Sequence, residues 1–355
     1  MPFVKNFYVL FLIGISIYHH ERLEKMMIPV KLREIEVYHG EHVVPNEFYI
    51  EHFKSKGKDI EHFLTDIIGR KQRYMIDPAL ENNLTMAVEV SKRLLEKAGL
   101  SGTDIDMIVY SSMAPEYLMP PCSIHLHEAI SGKAECVCYD TNVNCAGMTV
   151  TLEQMSKYMA LSPNIRRAML VGCDYVNFYL DPDNELSYGH YGDAACAIIL
   201  ERTDEDCGVL GAKYHMNSVE HTNILFPSCG LSKLFSEPNR DALRLEWKPF
   251  ENVSPPIAVA NMKALLAENG LTKEDVAVFC LSQYALISVR TIRELMGIDE
   301  AHSLFIGDEY GYTGTSSPFI VLYEAIKRGM VHRGDYVMFW TIGAGSENIA
   351  LLFRY

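Results

Sequence analysis

Cys145 is the residue in this chain best placed to act as a nucleophile. It stands in Tyr139-Asp-Thr-Asn-Val-Asn-Cys145-Ala-Gly-Met-Thr, fed by an apolar run from Glu135 to Tyr139 and surrounded by small residues. Beyond it Met148, Leu152, Met155 and Met159 recur at the spacing of one helix face, which predicts an amphipathic helix from Met148 to Ala160. The cysteine is therefore expected on a strand-to-helix turn, at the helix N-terminus. Free N–H groups and the positive end of the helix dipole favour an anion there, and the thiolate is the nucleophilic form of cysteine. The competing reading is a small buried hydrophobe, the ordinary fate of a lone thiol.

The flanking elements are those of an alternating α/β chain. Val30 to Tyr38 alternates as a strand, and Leu84 to Ala98 carries Met86, Val90, Leu94 and Ala98 on one helix face with Gly99 as its C-cap. Met107 to Ser111 and Ala168 to Gly172 are continuous apolar strands, the pattern of a sheet covered on both faces. The pattern then repeats. Leu100-Ser-Gly-Thr-Asp-Ile-Asp and its strand resemble Leu271-Thr-Lys-Glu-Asp-Val and its strand, and the Cys145 turn and helix match Tyr312-Thr-Gly-Thr-Ser-Ser and the helix Phe319 to Arg328. An offset of roughly 170 residues in both comparisons points to a duplicated half rather than short repeats. The expected fold is a duplicated, five-layered α-β-α-β-α body with two pseudo-symmetric halves, residues 28–205 and 206–355. The equivalent turns should meet near the pseudo-two-fold axis, bringing Tyr312 and the Ser282-Gln283 pair up to Cys145.

Composition narrows the function. A net charge of −14 over 355 residues argues against nucleic acid, which rewards basic surfaces. Nine cysteines show no paired metal spacing, and Cys136-Val-Cys138 is expected to point its side chains opposite ways on a buried strand. No metal is implied, and reduced thiols suggest a cytoplasmic protein. Phe7 to Tyr18 is apolar but too short to span a membrane. Residues 1–27 read as an N-terminal extension, disordered or upstream of the true start, with the folded body beginning near Ile28.

From about Ile28 to Tyr355 the chain resembles the β-ketoacyl-acyl-carrier-protein synthases III of the thiolase superfamily. The residues that carry the likeness are Gly69-x-x-x-Arg73, Asp140-x-x-x-x-Cys145-Ala-Gly, Gly192-Asp193-Ala194 and Gly343-Ala-Gly-Ser-x-x-x-Ala350-Leu-Leu-Phe-Arg. The resemblance implies a homodimer and a Cys145 acylated by a thioester of acyl carrier protein or coenzyme A. It implies no cofactor beyond the phosphopantetheine of those carriers. It places the oxyanion hole on the backbone N–H groups of Cys145 and Ala344. It also places Met119 at the bottom of the partner subunit's acyl pocket and leaves Arg70, Lys71 and Arg73 as phosphate contacts.

The chain departs from the family where carbanion chemistry is done. The family's His-Gln-Ala-Asn motif reads Ser282-Gln283-Tyr284-Ala285, and its Gly-Asn-Thr motif reads Gly311-Tyr312-Thr313. Both donors that hold the malonyl thioester oxygen as it becomes an enolate are absent. Losing one such donor typically costs about 10²–10³ in rate. Phe63 and Ile67 replace the Trp and Arg of the coenzyme A clamp, and a carrier-borne phosphopantetheine is as good a donor. Tyr310, Tyr312, Ser282 and Gln283 are candidate hydrogen-bond donors; His190 is a candidate replacement base, and Glu116 a base delivered across the dimer. Three functions follow. The first is acyl transfer through Cys145 with impaired condensation. The second is a true decarboxylating synthase of fatty acid or polyketide (secondary) metabolism with substitute donors. The third is a catalytically weak subunit paired with an intact synthase in a heterodimer.

Overall fold

The computed structural model describes residues 28–355; the extension expected over residues 1–27 lies outside them. In the first sheet the strands run in the order Val30–His39, Ala194–Arg202, Arg167–Asp174, Met107–Ser111, Val137–Thr141. The last three are mutually parallel, and the first two join antiparallel. The second sheet runs Gly208–Met216, Glu347–Arg354, Tyr336–Gly343, Val276–Leu281, again two antiparallel joins followed by a parallel pairing. The second order repeats the first without its edge strand Val137–Thr141, so the duplication is written in the strand order itself.

Burial explains the apolar strands. Met107–Ser111 is buried at every residue because helix Asn83–Ala98 covers the sheet outside and other helices cover it inside. Asn82 caps that outer helix by accepting from the Thr85 N–H at 2.9 Å, and Gly99 closes it in the left-handed conformation at φ 65°. Ser254–Glu268 and Leu286–Met296 pack outside the second sheet. Gly147–Leu161 and Ser317–Lys327 lie between the two sheets, completing five layers.

Two expectations are corrected here. The helix after Cys145 is not amphipathic in place: apart from Gln154, Lys157, Tyr158 and Leu161 it is buried, because a central helix has a sheet on either side. The sulfurs of Cys136 and Cys138 do not point apart. They lie 4.0 Å from each other, since residues two apart along an extended chain share a face. Cys138 lies in the edge strand Val137–Thr141, half-buried throughout, and Cys136 directly precedes it. Among the described residues no helix is long and apolar enough to cross a membrane.

Candidate active site

Three segments converge on the Cys145 sulfur. The first is the turn Asn144–Ala146, between the strand ending at Thr141 and the helix Gly147–Leu161. The second is its counterpart Gly314–Ser316, leading into Ser317–Lys327. The third is the loop at Gly343–Ser346 that joins the last two strands. Side chains tie them together. Thr315 Oγ1 accepts from the Met148 N–H at 2.7 Å, and Thr341 Oγ1 donates to the Cys145 carbonyl at 3.2 Å. Gly147 is required here, because a Cβ would lie 2.2 Å from Ser111 Oγ.

Asp174 is the buried post of this frame. Its Oδ2 accepts from the Thr315 N–H at 2.8 Å, while Oδ1 accepts from the Met113 N–H at 2.9 Å and Ser112 Oγ at 3.1 Å. Asp174→Asn turns an NH₂ toward one of these donors, and should cost about 1–3 kcal/mol of stability by urea unfolding. Burial outweighs the three donors and pushes the Asp174 carboxyl up to about 6. A folded-state value above the ordinary 3.8 makes the protonated form the stabilised one. That contribution is full below pH about 4 and lost as pH rises through about 6. The D174N protein should lack this part of the stability profile.

The sulfur faces a cavity of about 70 Å³, small beside the roughly 300–1,000 Å³ of a ligand pocket. Its walls are aromatic. Trp247 and Tyr284 stack with centroids 6.0 Å apart, and Tyr312 stands edge-on to Tyr284 at 5.9 Å. Half-exposed Glu220, Asn223, Phe250 and Asn252 complete the lining. Tyr312 is fixed through its backbone: its N–H donates to the His190 carbonyl at 3.1 Å, and its carbonyl accepts from the Gly192 N–H at 3.0 Å. Its hydroxyl is within hydrogen-bonding reach of the thiol and accepts from Ser282 Oγ at 3.4 Å.

Burial pushes the Cys145 thiol up to about 12, against the weaker effect of the Tyr312 hydroxyl, which lowers it. The depressed value expected of a helix N-terminus is thus overturned. Cys145 is half-buried with aromatic walls around its cavity, and nearby N–H groups are already committed: Cys145 N–H to Asn144 Oδ1, and Met148 N–H to Thr315. Alkylation of Cys145 by iodoacetamide should climb about tenfold per pH unit from pH 7 to 10 with no plateau, since the thiolate reacts. Tyr312→Phe should slow it further.

Residues 139–218 match the family model described as 3-oxoacyl-[acyl-carrier-protein (ACP)] synthase III, and residues 266–355 match its C-terminal counterpart. A β-ketoacyl-[acyl-carrier-protein] synthase III of Vibrio vulnificus is 27% identical over 271 residues, 74% of this chain and 73% of the relative. One from Clostridium perfringens is 23% identical over 313 residues, 87% and 94% of the two chains. The 3-oxoacyl-[acyl-carrier-protein] synthase III structure of Aquifex aeolicus superimposes with a TM-score of 0.78 at 21% identity, covering 92% of this chain and all of that one. The chain is ketoacyl synthase III-like along both matched segments. Its class is that of acyl-transferring enzymes.

In this synthase III-like chain the N–H groups of Cys145 and Ala344 point at one spot, Tyr312 stands beside the sulfur, and Ser282 meets the Tyr312 hydroxyl. Other expected site residues are elsewhere. Gln283 is spent on the fold: its Nε2 donates to the Leu281 carbonyl at 2.7 Å, and its Oε1 accepts from the N–H groups of Ile306 and Gly307 at 2.7 and 3.1 Å. Tyr310 is buried away from the cavity and donates to Glu324 at 3.1 Å. Arg70 and Arg73 are not phosphate contacts. Arg70 is 1% exposed and donates to five backbone carbonyls, while Arg73 is fully buried, bonded to Asn46 and stacked on Tyr49. A guanidinium so enclosed organises loops. Lys71 is exposed and pairs with Asp308 at 2.8 Å.

Phe63 and Ile67 pack in a side cluster with Tyr49, Phe53 and Tyr284 rather than on the cavity. Met119 is 89% exposed, away from the Cys145 cavity, and Glu116 borders a separate cleft with Leu80 and Phe178. His190 is no replacement base. Its ring is boxed by Tyr191, Trp247, Tyr284 and Tyr312, both nitrogens lack partners, and burial drives its pKa well below the usual range. The residues that sequence reasoning passed over are Asn144, Tyr284, Trp247 and Asp174. Asn144 carried a signal, a polar amide directly before the nucleophile. Trp247 sits in an irregular stretch with no periodicity.

Proposed function

We propose that this chain is an acyl-thioester transferase. It forms an acyl-Cys145 intermediate and passes the acyl group to an acceptor, with decarboxylative condensation impaired. The observation that carries the reading is Tyr312. It lines the cavity beside the sulfur, with its hydroxyl in reach of the thiol, where the family pattern has a smaller carboxamide. The nucleophile and its two backbone donors remain, while the space and donors for a malonyl enolate are reduced.

The step balances without an imidazole. Sγ attacks the thioester carbon, the carbon–sulfur bond to the carrier breaks, and the thiol proton passes to the departing carrier sulfur. Tyr312 can relay that proton by accepting from Sγ–H and donating onward. The donor is phosphopantetheine on acyl carrier protein or coenzyme A; a structural neighbour, OleA of Xanthomonas campestris (TM-score 0.78, 17% identical, 92% and 99% of the two chains covered), was solved with lauric acid and lauroyl-CoA bound. In a homodimer Met119 would reach the partner's acyl pocket.

A second reading, true 3-oxoacyl synthase activity, draws on one feature: the Ser282 and Tyr312 hydroxyls, 3.4 Å apart, form an alternative donor pair for an enolate oxygen. One experiment separates the two. The protein is incubated with acyl-CoA and acyl-carrier donors, and intact mass is followed; malonyl-carrier is then added and carbon dioxide measured. An adduct without carbon dioxide supports acyl transfer, carbon dioxide release supports the synthase, and no adduct with any donor counts against both.

A further inference from the structure

The oxyanion hole of this chain is already full. Asn144 Oδ1 accepts from the Cys145 N–H at 2.9 Å and from the Ala344 N–H at 2.7 Å. Those two N–H groups are the ones that must meet the thioester oxygen during acylation, and a carboxamide oxygen at these distances takes the place of the oxyanion. Asn144 Nδ2 turns back toward the Ala344 carbonyl at 3.4 Å.

The fold provides for this arrangement. Asn144 has φ 40°, a left-handed backbone that asparagine tolerates better than most side chains. A Cβ at residue 343 would fall 2.2 Å from Asn144 Oδ1, so only glycine there leaves the carboxamide room. Val143 and Ala146 flank the turn with side chains that cannot supply such an oxygen.

We propose that Asn144 is a built-in stopper of the oxyanion hole, and that Cys145 accepts an acyl group only when the Asn144 side chain rotates out. The proposal rests on the acyl-Cys145 reading above and deepens it. A tethered amide oxygen, already bonded to both N–H groups, is a better acceptor than the resting carbonyl of a thioester. It loses to a developing oxyanion, because hydrogen bonds to an ionised acceptor are roughly twice as strong. The stopper therefore holds against idle thioesters and yields to one positioned for attack.

Two variants and two readouts test it. Asn144→Gly keeps the left-handed backbone and removes the carboxamide. Its Ala344 and Cys145 amides should exchange with deuterium at least about tenfold faster than in the wild type. Single-turnover acylation of Cys145 by a short acyl-CoA, read by intact mass, should also be about tenfold faster or more. Asn144→Asp places a charged acceptor in the hole, and should slow both. Unchanged exchange in N144G, or wild-type acylation that is measurable but no faster in N144G once exchange has risen, overturns the proposal. Faster exchange in a protein that accepts no acyl group in either form keeps the stopper and sinks the acyl-transfer reading instead.

Discussion

Cys145→Ala gains no mass from any acyl thioester, and transfer activity falls by at least about 10³-fold, since the covalent route is closed at its first step. The fold should survive. Alanine removes one sulfur from a wall of the cavity, and the contacts that fix this turn run through backbone and neighbours: Thr341 to the Cys145 carbonyl, Thr315 to the Met148 N–H, Asn144 to the Cys145 N–H. Cys145→Ser is the sharper version. It keeps the shape and both N–H groups but offers a hydroxyl, which is a weaker nucleophile without a base beside it. No buried base stands ready, because His190 is sealed in its aromatic box. C145S should therefore resemble C145A within about tenfold. Intact mass after incubation with the donor, with thermal unfolding as the control for folding, checks both. An adduct that persists in C145A would move the nucleophile elsewhere, and Cys136 and Cys138 would be the next sulfurs to test.

The architecture was legible because it rests on patterns that local sequence carries. Continuous apolar runs marked buried strands. Gly99 marked the end of one outer helix, and the acidic turns at Asp104 and Asp275 marked the duplication. The candidate site was legible in its placement, because turn and spacing specify position: the structure sets Tyr312 beside Cys145 and Ser282 against the Tyr312 hydroxyl. What sequence hid was orientation. Nothing in Gly69-Arg-Lys-Gln-Arg73 distinguishes a basic surface turn from two buried clamps; only the chain folding back over Arg70 decides it, by offering carbonyls from residues 68, 190, 283, 284 and 307. The same holds for Gln283, whose carboxamide could have faced the sulfur but caps the backbone at Ile306 and Gly307. The thiol's reactivity was misjudged for a related reason. A helix N-terminus favours an anion only while its N–H groups are free and water is near, and here burial dominates and Asn144 holds the Cys145 N–H.

Restoring the two lost donors should restore condensation. In the double variant Ser282→His with Tyr312→Asn, carbon dioxide release from malonyl-carrier by the acylated protein should rise by about 10²-fold or more, the worth of a preorganised donor at a developing oxyanion. Neither single change suffices, for steric reasons visible in the site. Ser282 is fully buried, with its Oγ 3.4 Å from the Tyr312 hydroxyl, so an imidazole there collides with the tyrosine; such overpacking costs about 1–3 kcal/mol. Tyr312→Asn alone removes one wall of the box around His190, and a large-to-small change of that size in a core costs about 3–5 kcal/mol. Together the added ring occupies volume that the lost phenol vacates. The pair should be less destabilised than the sum of the singles, as neighbours in contact are. Carbon dioxide release from labelled malonyl-carrier and urea midpoints of all three variants give the answer. If the double variant still acylates at Cys145 yet releases no carbon dioxide, then the barrier to condensation is not the missing donors but the room above the sulfur, and the walls to enlarge next are Tyr284 and Trp247.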